Sequence, residues 1–209
     1  MSRESLTSVA AAFATALLLA GCGTSAATDA TAEIDPQATV RYATTYGASS
    51  FDPHKTRITS DSTMLNLVYD RLVHRDRKAD PVPGLAEAWE FSEDGSTLTL
   101  NLRQDVTFSD GTPLDASAVV ANLRRALEPD SITAAMLAGV ESVEATDAHT
   151  VVLRLNGPGG QLVLTLSDLP GMIVNPNAFG DPDKDAALVL DPAGAGRYTV
   201  VESQPGAQY

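Results

Sequence analysis

The chain holds one cysteine in 209 residues, three histidines, and 14 basic side chains against 27 acidic ones. Each scarcity removes a class of protein. A lone thiol at Cys22 cannot close an internal disulfide, so a disulfide-stapled scaffold is excluded. His54, His74 and His149 stand far apart, and no pair has the spacing of metal ligands on a helix. No serine sits in a glycine-flanked nucleophile motif, and no catalytic residue, metal ligand or cofactor is assigned. A net charge of −13 repels phosphate backbones and anionic headgroups, which argues against nucleic acid as a partner and otherwise serves solubility. Apolar runs are short: the longest, Val9 to Ala20, falls below the about 20 residues of a permanent transmembrane helix.

That run has a different use. Arg3 precedes it, partly neutralised by Glu4, and Leu19-Ala20-Gly21-Cys22 closes it. The order of basic residue, apolar core and small residues is that of a signal peptide, residues 1–21. A cysteine directly after the small residues matches the bacterial lipobox, in which a diacylglyceryl group alkylates the thiol before cleavage. Two acyl chains, at about 0.8 kcal/mol per buried methylene, hold a protein at a membrane surface where one chain is marginal. The alternative is an ordinary secretory signal with an incidental cysteine. Against it, Cys22 is the only thiol of the chain. Removing Arg3 and Glu4 with the leader leaves the charge at −13, and the small, polar residues 22–38 read as a flexible tether. The remainder, 39–209, has the length of one ordinary domain, and its 44% hydrophobic content is that of a globular chain.

Along that domain, Val40–Thr45 alternates as a first strand, and a turn-rich stretch runs from Tyr46 to His54. Ser60 or Asp61 caps a helix whose apolar positions Met64, Leu65, Val68 and Leu72 recur at helical spacing, predicting an end near Val73. His74–Asp80 reads as a charged connection. Beyond the turn Ser92–Gly95, Leu98, Leu100 and Leu102 alternate with Thr97, Thr99, Asn101 and Arg103, which predicts a half-buried strand. Ser109–Pro113 is a second tight turn, and Asp115 caps a helix that buries Val119, Val120, Leu123 and Leu127. Glu141–Glu144 and Thr150–Leu155 read as strands joined through Asp147-Ala148-His149. Leu162–Leu169 reads as a short helix, and Met172–Val174 and Tyr198–Val201 as strands. Trp89 and Phe108 are assigned to the core. Gly157-Pro158-Gly159-Gly160 follows a strand but lacks the third glycine and acidic partner of a dinucleotide site, and reads as a turn. Mixed elements with antiparallel hairpins argue for an α+β fold with some mixed α/β character.

An ordered set of segments resembles a known family. Phe51-Asp52-Pro53-His54, Tyr69-Asp70-Arg71-Leu72-Val73, Pro83-Gly84-Leu85-Ala86-Glu87-Ala88-Trp89, Ser92-Glu93-Asp94-Gly95 and the stretch Leu102–Leu114 occur in the order found in family 5 extracellular solute-binding proteins of ABC importers, the oligopeptide, dipeptide and nickel group. Gly194-Ala195-Gly196-Arg197-Tyr198 stands where the family usually has Gly-Thr-Gly-Pro-Tyr. Two departures are Ser117-Ala118, in place of an acidic pair, and Arg197, in place of a proline.

The resemblance implies the first lobe of a two-lobed periplasmic-binding-protein-like (type II) fold, with about 74–170 a family-specific subdomain. It implies a lipoprotein at the outer face of the cell membrane, a monomer that captures peptides or similar small solutes for an ABC permease, held by a lipid anchor, and no enzyme. Carried over from peptide-binding members, Arg57-Ile58-Thr59 pairs with an extended ligand through its main chain, with Tyr46 as a wall. Arg57 either meets a ligand carboxylate or is solvated, and all four are otherwise ordinary loop residues. His54 is a loop histidine or, in the nickel- and haem-binding style, a ligand contact. Members of the family have a second lobe, so the expectation is of an N-terminal fragment or truncated frame whose half-cleft binds weakly or not at all. A surface adhesin or sensor on the same scaffold and a lipid-anchored hydrolase are the alternatives.

Overall fold

Alternating leucines set the centre of the sheet. The structure is a computed structural model that describes residues 48–56 and 61–203, all within one unit spanning residues 44–209. The expected strand Val40–Thr45, the leader, Cys22 and the tether lie outside the described residues. In strand β4 (Thr97–Leu102), Leu98, Leu100 and Leu102 are buried on one face while Thr97, Thr99 and Asn101 line the other. The strand pairs antiparallel on one side with β3 (Ala86–Phe91) and on the other with β6 (Thr150–Leu155), which pairs in turn with β5 (Val140–Ala145). The sheet order is therefore β3-β4-β6-β5. Register puts Leu98 opposite Leu153 and Leu100 opposite Val151, so the apolar face is continuous across the central pair. The β3–β4 turn takes a positive φ of 69° at Gly95, and the Asp94 carboxylate accepts from Ser92 Oγ and from Ser96 N.

Helix α2 (Ala116–Ala126) packs against β5 and β6. Asp115 caps it as the spacing predicts, accepting from Ala118 N at 2.9 Å. Val119, Val120, Leu123 and Ala126 are buried, and Arg124 donates to Val143 O at 3.1 Å, tying the helix to β5. Asn122 lies on the same buried face and acts as a surrogate peptide unit. Its Oδ1 accepts from Val174 N at 2.9 Å and its Nδ2 donates to Val174 O at 2.7 Å. Segment 172–175 is thereby fixed to α2 by one side chain.

A second, smaller core lies under helix α1 (Asp61–Val68) and consists of Ala48, Phe51, Leu65, Val68, Tyr69, Met172, Val174 and Leu188. Gly194 and Gly196 press onto the end of α1, where Gly196 N donates to Val68 O at 3.0 Å and Tyr198 N to Leu67 O at 3.1 Å. A Cβ built on Gly194 falls 2.0 Å from Val68 O, so the close approach demands glycine there.

Several expectations are corrected. The helix expected to reach Val73 stops at Val68, because its last carbonyls are taken by Gly196 and Tyr198 and the Asp70 carbonyl by Ile173 N. Leu72 is buried as its spacing suggests, yet it sits on a bend leading into β1 (Val73–Arg75). The charged connection is a hairpin: β1 pairs with β2 (Pro81–Pro83), and Asp76 Oδ1 accepts from Lys78 N and Asp80 N in the turn. Strand β3 was hidden in a stretch without alternation. The helix expected over Leu162–Leu169 is only α3 (Leu162–Thr165), followed by a separate 3₁₀ turn over Leu169–Gly171 that Asp168 caps. Met172 and Val174 form isolated bridges with Arg71 and Gly194 in place of a strand, and Tyr198–Val201 forms none. Phe108 is buried, whereas Trp89 only borders the core. Gly157–Gly160 is a turn, with Gly159 N donating to Gly95 O.

The glycine contacts yield a test. Gly194→Ala should cost about 2–3 kcal/mol or more by overpacking. Gly157→Ala, with nothing within 4 Å of its built Cβ, should stay within about 0.5 kcal/mol of the parent chain. Urea-unfolding midpoints compare the two, and equal midpoints would refute the steric argument.

Candidate functional site

The expected solute contacts Tyr46, Arg57, Ile58 and Thr59 lie outside the described residues, as does Cys22. What the structure describes is how the chain is held on either side of Arg57–Thr59. Before it, Asp52, His54 and Thr56 are buried; after it, Asp61 is buried at the start of α1. Thr56 Oγ1 donates to Asp61 Oδ2 at 2.5 Å, and Ser49 N donates to Asp61 Oδ1 at 3.0 Å. One carboxylate therefore gathers both ends of the loop.

The stem of the loop is pinned by ion pairing. Asp52, 1% exposed, meets Arg125 from the last turn of α2 through two parallel bonds, Nη1 to Oδ1 at 2.8 Å and Nη2 to Oδ2 at 2.6 Å. The fork geometry of guanidinium and carboxylate makes this the strong form of a charge-assisted bond. Arg125 Nη2 also donates to Asp185 of α4 (Pro182–Ala187) at 3.1 Å, and its guanidinium stands 5.1 Å from the centre of the Phe179 ring. Burial by itself would raise the pKa of Asp52, but the hydrogen bonds and charge of Arg125 outweigh it and hold the carboxyl below its usual range.

His54 lies on a turn, in keeping with the loop-histidine reading, but its side chain is fully buried, at 0% exposed. Its Nδ1 lies 3.1 Å from Arg125 Nη1, and its backbone carbonyl accepts from Ile132 N at 2.9 Å. Burial, with the field of Arg125 second, lowers its pKa to about 4, so the imidazole is neutral at pH 7. Farther out, Lys55 pairs with Asp130 at 2.9 Å. Sequence reasoning singled out Asp52-Pro53-His54 as a motif and Asp61 only as a candidate helix cap, and it missed Arg125 and Asp185. A basic residue on the apolar face of α2 was the available signal for Arg125.

Among the described residues no three His, Cys, Asp or Glu side chains group as a metal site. A separate open pocket of about 510 Å³ lies between the Ala134–Leu137 turn and the Gly157–Gly160 turn, lined by Met136, Val140, Leu155, Pro158 and Leu162 among others. It shares no residue with the loop and carries no ionisable side chain, its polar side chains being Asn156, Gln161 and Thr165.

Comparison with known proteins gives the context. The model of the family described as bacterial extracellular solute-binding proteins, family 5 Middle, matches residues 80–209. The glutathione-binding protein GsiB of Salmonella paratyphi A is 31% identical over 152 residues, covering 72% of this chain and 29% of that protein. The probable D,D-dipeptide-binding periplasmic protein DdpA of Escherichia coli K12 is 30% identical over 167 residues, covering 76% of this chain and 32% of the relative. Among solved structures, NikA from Brucella suis in complex with Fe(III)-EDTA superposes with a TM-score of 0.68 at 30% identity, over 77% of this chain and 32% of that one. AgaA from A. tumefaciens R10, in complex with agropinic acid, gives 0.70 at 27% identity, over 77% and 33%. The chain spans about a third of the length of the curated relatives it matches.

The ion pair and its histidine generate a stability prediction. Asp52→Asn removes the buried forked partner of Arg125 and leaves only the partly exposed Asp185 as its counterion, and should cost about 3 kcal/mol. His54 has a folded pKa of about 4 against 6.5 unfolded, so the unfolded chain takes up the extra proton in that interval. The contribution is complete above pH 6.5 and lost as pH falls towards 4, amounting to about 3 kcal/mol. Denaturant midpoints at pH 7, 6, 5 and 4 should fall for the parent chain and fall less for His54→Gln. Parallel profiles would contradict the assignment.

Proposed function

Because the chain belongs to the family 5 extracellular solute-binding proteins of bacteria, we propose that it supplies the solute-contacting first lobe of a receptor that feeds peptides or similar small solutes to an ABC permease. The observation that carries this reading is the doubly anchored loop, with Asp52 and His54 locked to Arg125 ahead of Arg57–Thr59 and Asp61 clasping Thr56 and Ser49 behind it. A binding strand must present its amides and carbonyls at fixed spacing, and rigid ends on both sides supply that at low entropic cost. Solute contact through the Arg57–Thr59 backbone, with Tyr46 beside it, reads main chain and leaves side-chain pockets to set specificity. No bond is made or broken; the working step is closure of two lobes around the solute.

In this reading residues 1–21 are a lipoprotein leader, 22–38 a tether, and 39–209 the receptor portion, with about 74–170 a subdomain. Diacylglyceryl on Cys22 holds a monomeric receptor at the outer face of the membrane, and tethering raises its concentration near the permease.

Two experiments test the proposal. In heteronuclear NMR of the chain from Cys22 onward, dialanine, trialanine and glutathione should shift amides of residues 46 and 57–59 saturably. Affinity should be weak, on the order of 1 mM, as expected of one wall of a cleft. Absence of shifts there at saturating peptide, or shifts confined to other residues, would remove the solute reading. In bacterial cells the chain should incorporate labelled palmitate and fractionate with membranes. Cys22→Ser should lose both properties, and unchanged fractionation would exclude the anchor.

A further inference from the structure

Arg125 joins stretches of chain that are distant in sequence. From α2 it grips the 48–56 loop through Asp52 and His54, reaches α4 through Asp185, and faces the ring of Phe179. The same loop is held from a further side, where Ile132 N and Ser131 Oγ donate to the His54 carbonyl and Lys55 pairs with Asp130. Among these holds, Arg125 is the one that ties the loop to both α2 and α4.

The hold is conditional on a proton. A guanidinium only donates, so His54 Nδ1, 3.1 Å from Arg125 Nη1, must accept, and the imidazole carries its proton on Nε2. Protonating Nδ1 sets two donors against each other and places a second positive charge in a buried site. The charged groups around the ring are Asp52 and Lys55 on its own loop, Arg125 from α2, and Asp185 from α4 across Arg125, with Asp130 paired to Lys55. Asp52 already accepts from Arg125 Nη1 and Nη2, and it also accepts from His54 N. Nε2 is buried without a hydrogen-bond partner, so nothing there compensates a charged ring.

We propose that Arg125 is the positioning residue of the solute-contacting loop, fixing its stem through Asp52 and a neutral His54, so that acidification frees the stem before the sheet unfolds. The inference rests on the reading of Arg57–Thr59 as the solute contact. A purely structural ion pair would stabilise the whole unit evenly. A positioning residue acts first on the segment it holds.

Peptide-resolved hydrogen exchange, corrected for intrinsic rates, separates the two. Lysine cannot reproduce the forked contacts to Asp52, His54 and Asp185. In Arg125→Lys, residues 49–56 should lose at least about tenfold in protection while β4 and β6 stay within about twofold of the parent chain, a local opening distinct from global unfolding. Protection lost evenly, or unchanged at 49–56, overturns the proposal. If Arg125→Lys does not fold, Asp52→Asn with Arg125→Met leaves no charge of the pair unmatched and carries the same comparison. Between pH 6 and 4 the parent chain should lose protection at 49–56 before β4 and β6, whereas His54→Gln, which keeps an acceptor and does not titrate, should hold it. A stem that opens together with the sheet, or equally in His54→Gln, overturns the proton dependence. No solute enters the measurement, so a chain that passes it but shows no peptide-induced shifts retires the solute reading alone.

Discussion

The buried pair of Asp52 and Arg125 is the constraint on which the arrangement around the candidate site depends. Two charges taken out of water cost several kcal/mol each, and only forked hydrogen bonding with every donor and acceptor engaged recovers that cost. Asp52 therefore fixes where the 48–56 loop sits, Arg125 fixes the end of α2 beside it, and Asp185 ties α4 to the same guanidinium. Replacement of the pair by apolar groups is compatible with a stable core, so its presence speaks for specificity of position more than for net stability.

Around that pair, the small core and the sheet are joined by contacts that tolerate little change. Asn122 presents a side-chain amide to both polar groups of Val174, as a neighbouring strand would, and lets irregular backbone pass under α2 with its hydrogen bonds satisfied. Gly194 and Gly196 allow the returning chain to approach the end of α1 closely enough for its N–H groups to donate to the last carbonyls of the helix. The Gly-Ala-Gly motif, read at first only as part of a family signature, has a steric and hydrogen-bonding cause.

Family membership and fold place the chain among the extracellular solute-binding proteins of family 5, and two of its relatives are named for glutathione and D,D-dipeptides. Those solutes share peptide bonds, the chemistry on which the proposed main-chain contact at Arg57–Thr59 depends. The chain covers about a third of such relatives, and what its described residues show is a loop stem held at both ends.

Local pattern was legible in the sequence wherever one element answers to one period or one cap. The leucine alternation of β4, the Asp115 cap of α2, the β5–β6 hairpin and the glycine turns at 95 and 111 follow from side-chain period and backbone sterics, which need no distant partner. The ordered motifs likewise sufficed to identify the family. Where α1 ends was decided by tertiary structure, because its last carbonyls are claimed by residues more than a hundred positions away, and β3 exists only because β4 offers it an edge. The site divides in the same way. Asp52-Pro53-His54 stood out in the sequence, but Arg125 lies 73 positions from Asp52, and no period or spacing links them. Only folding brings a carboxylate, a neutral imidazole and a guanidinium out of water together, and the energy of their hydrogen bonds exists only in that shared burial.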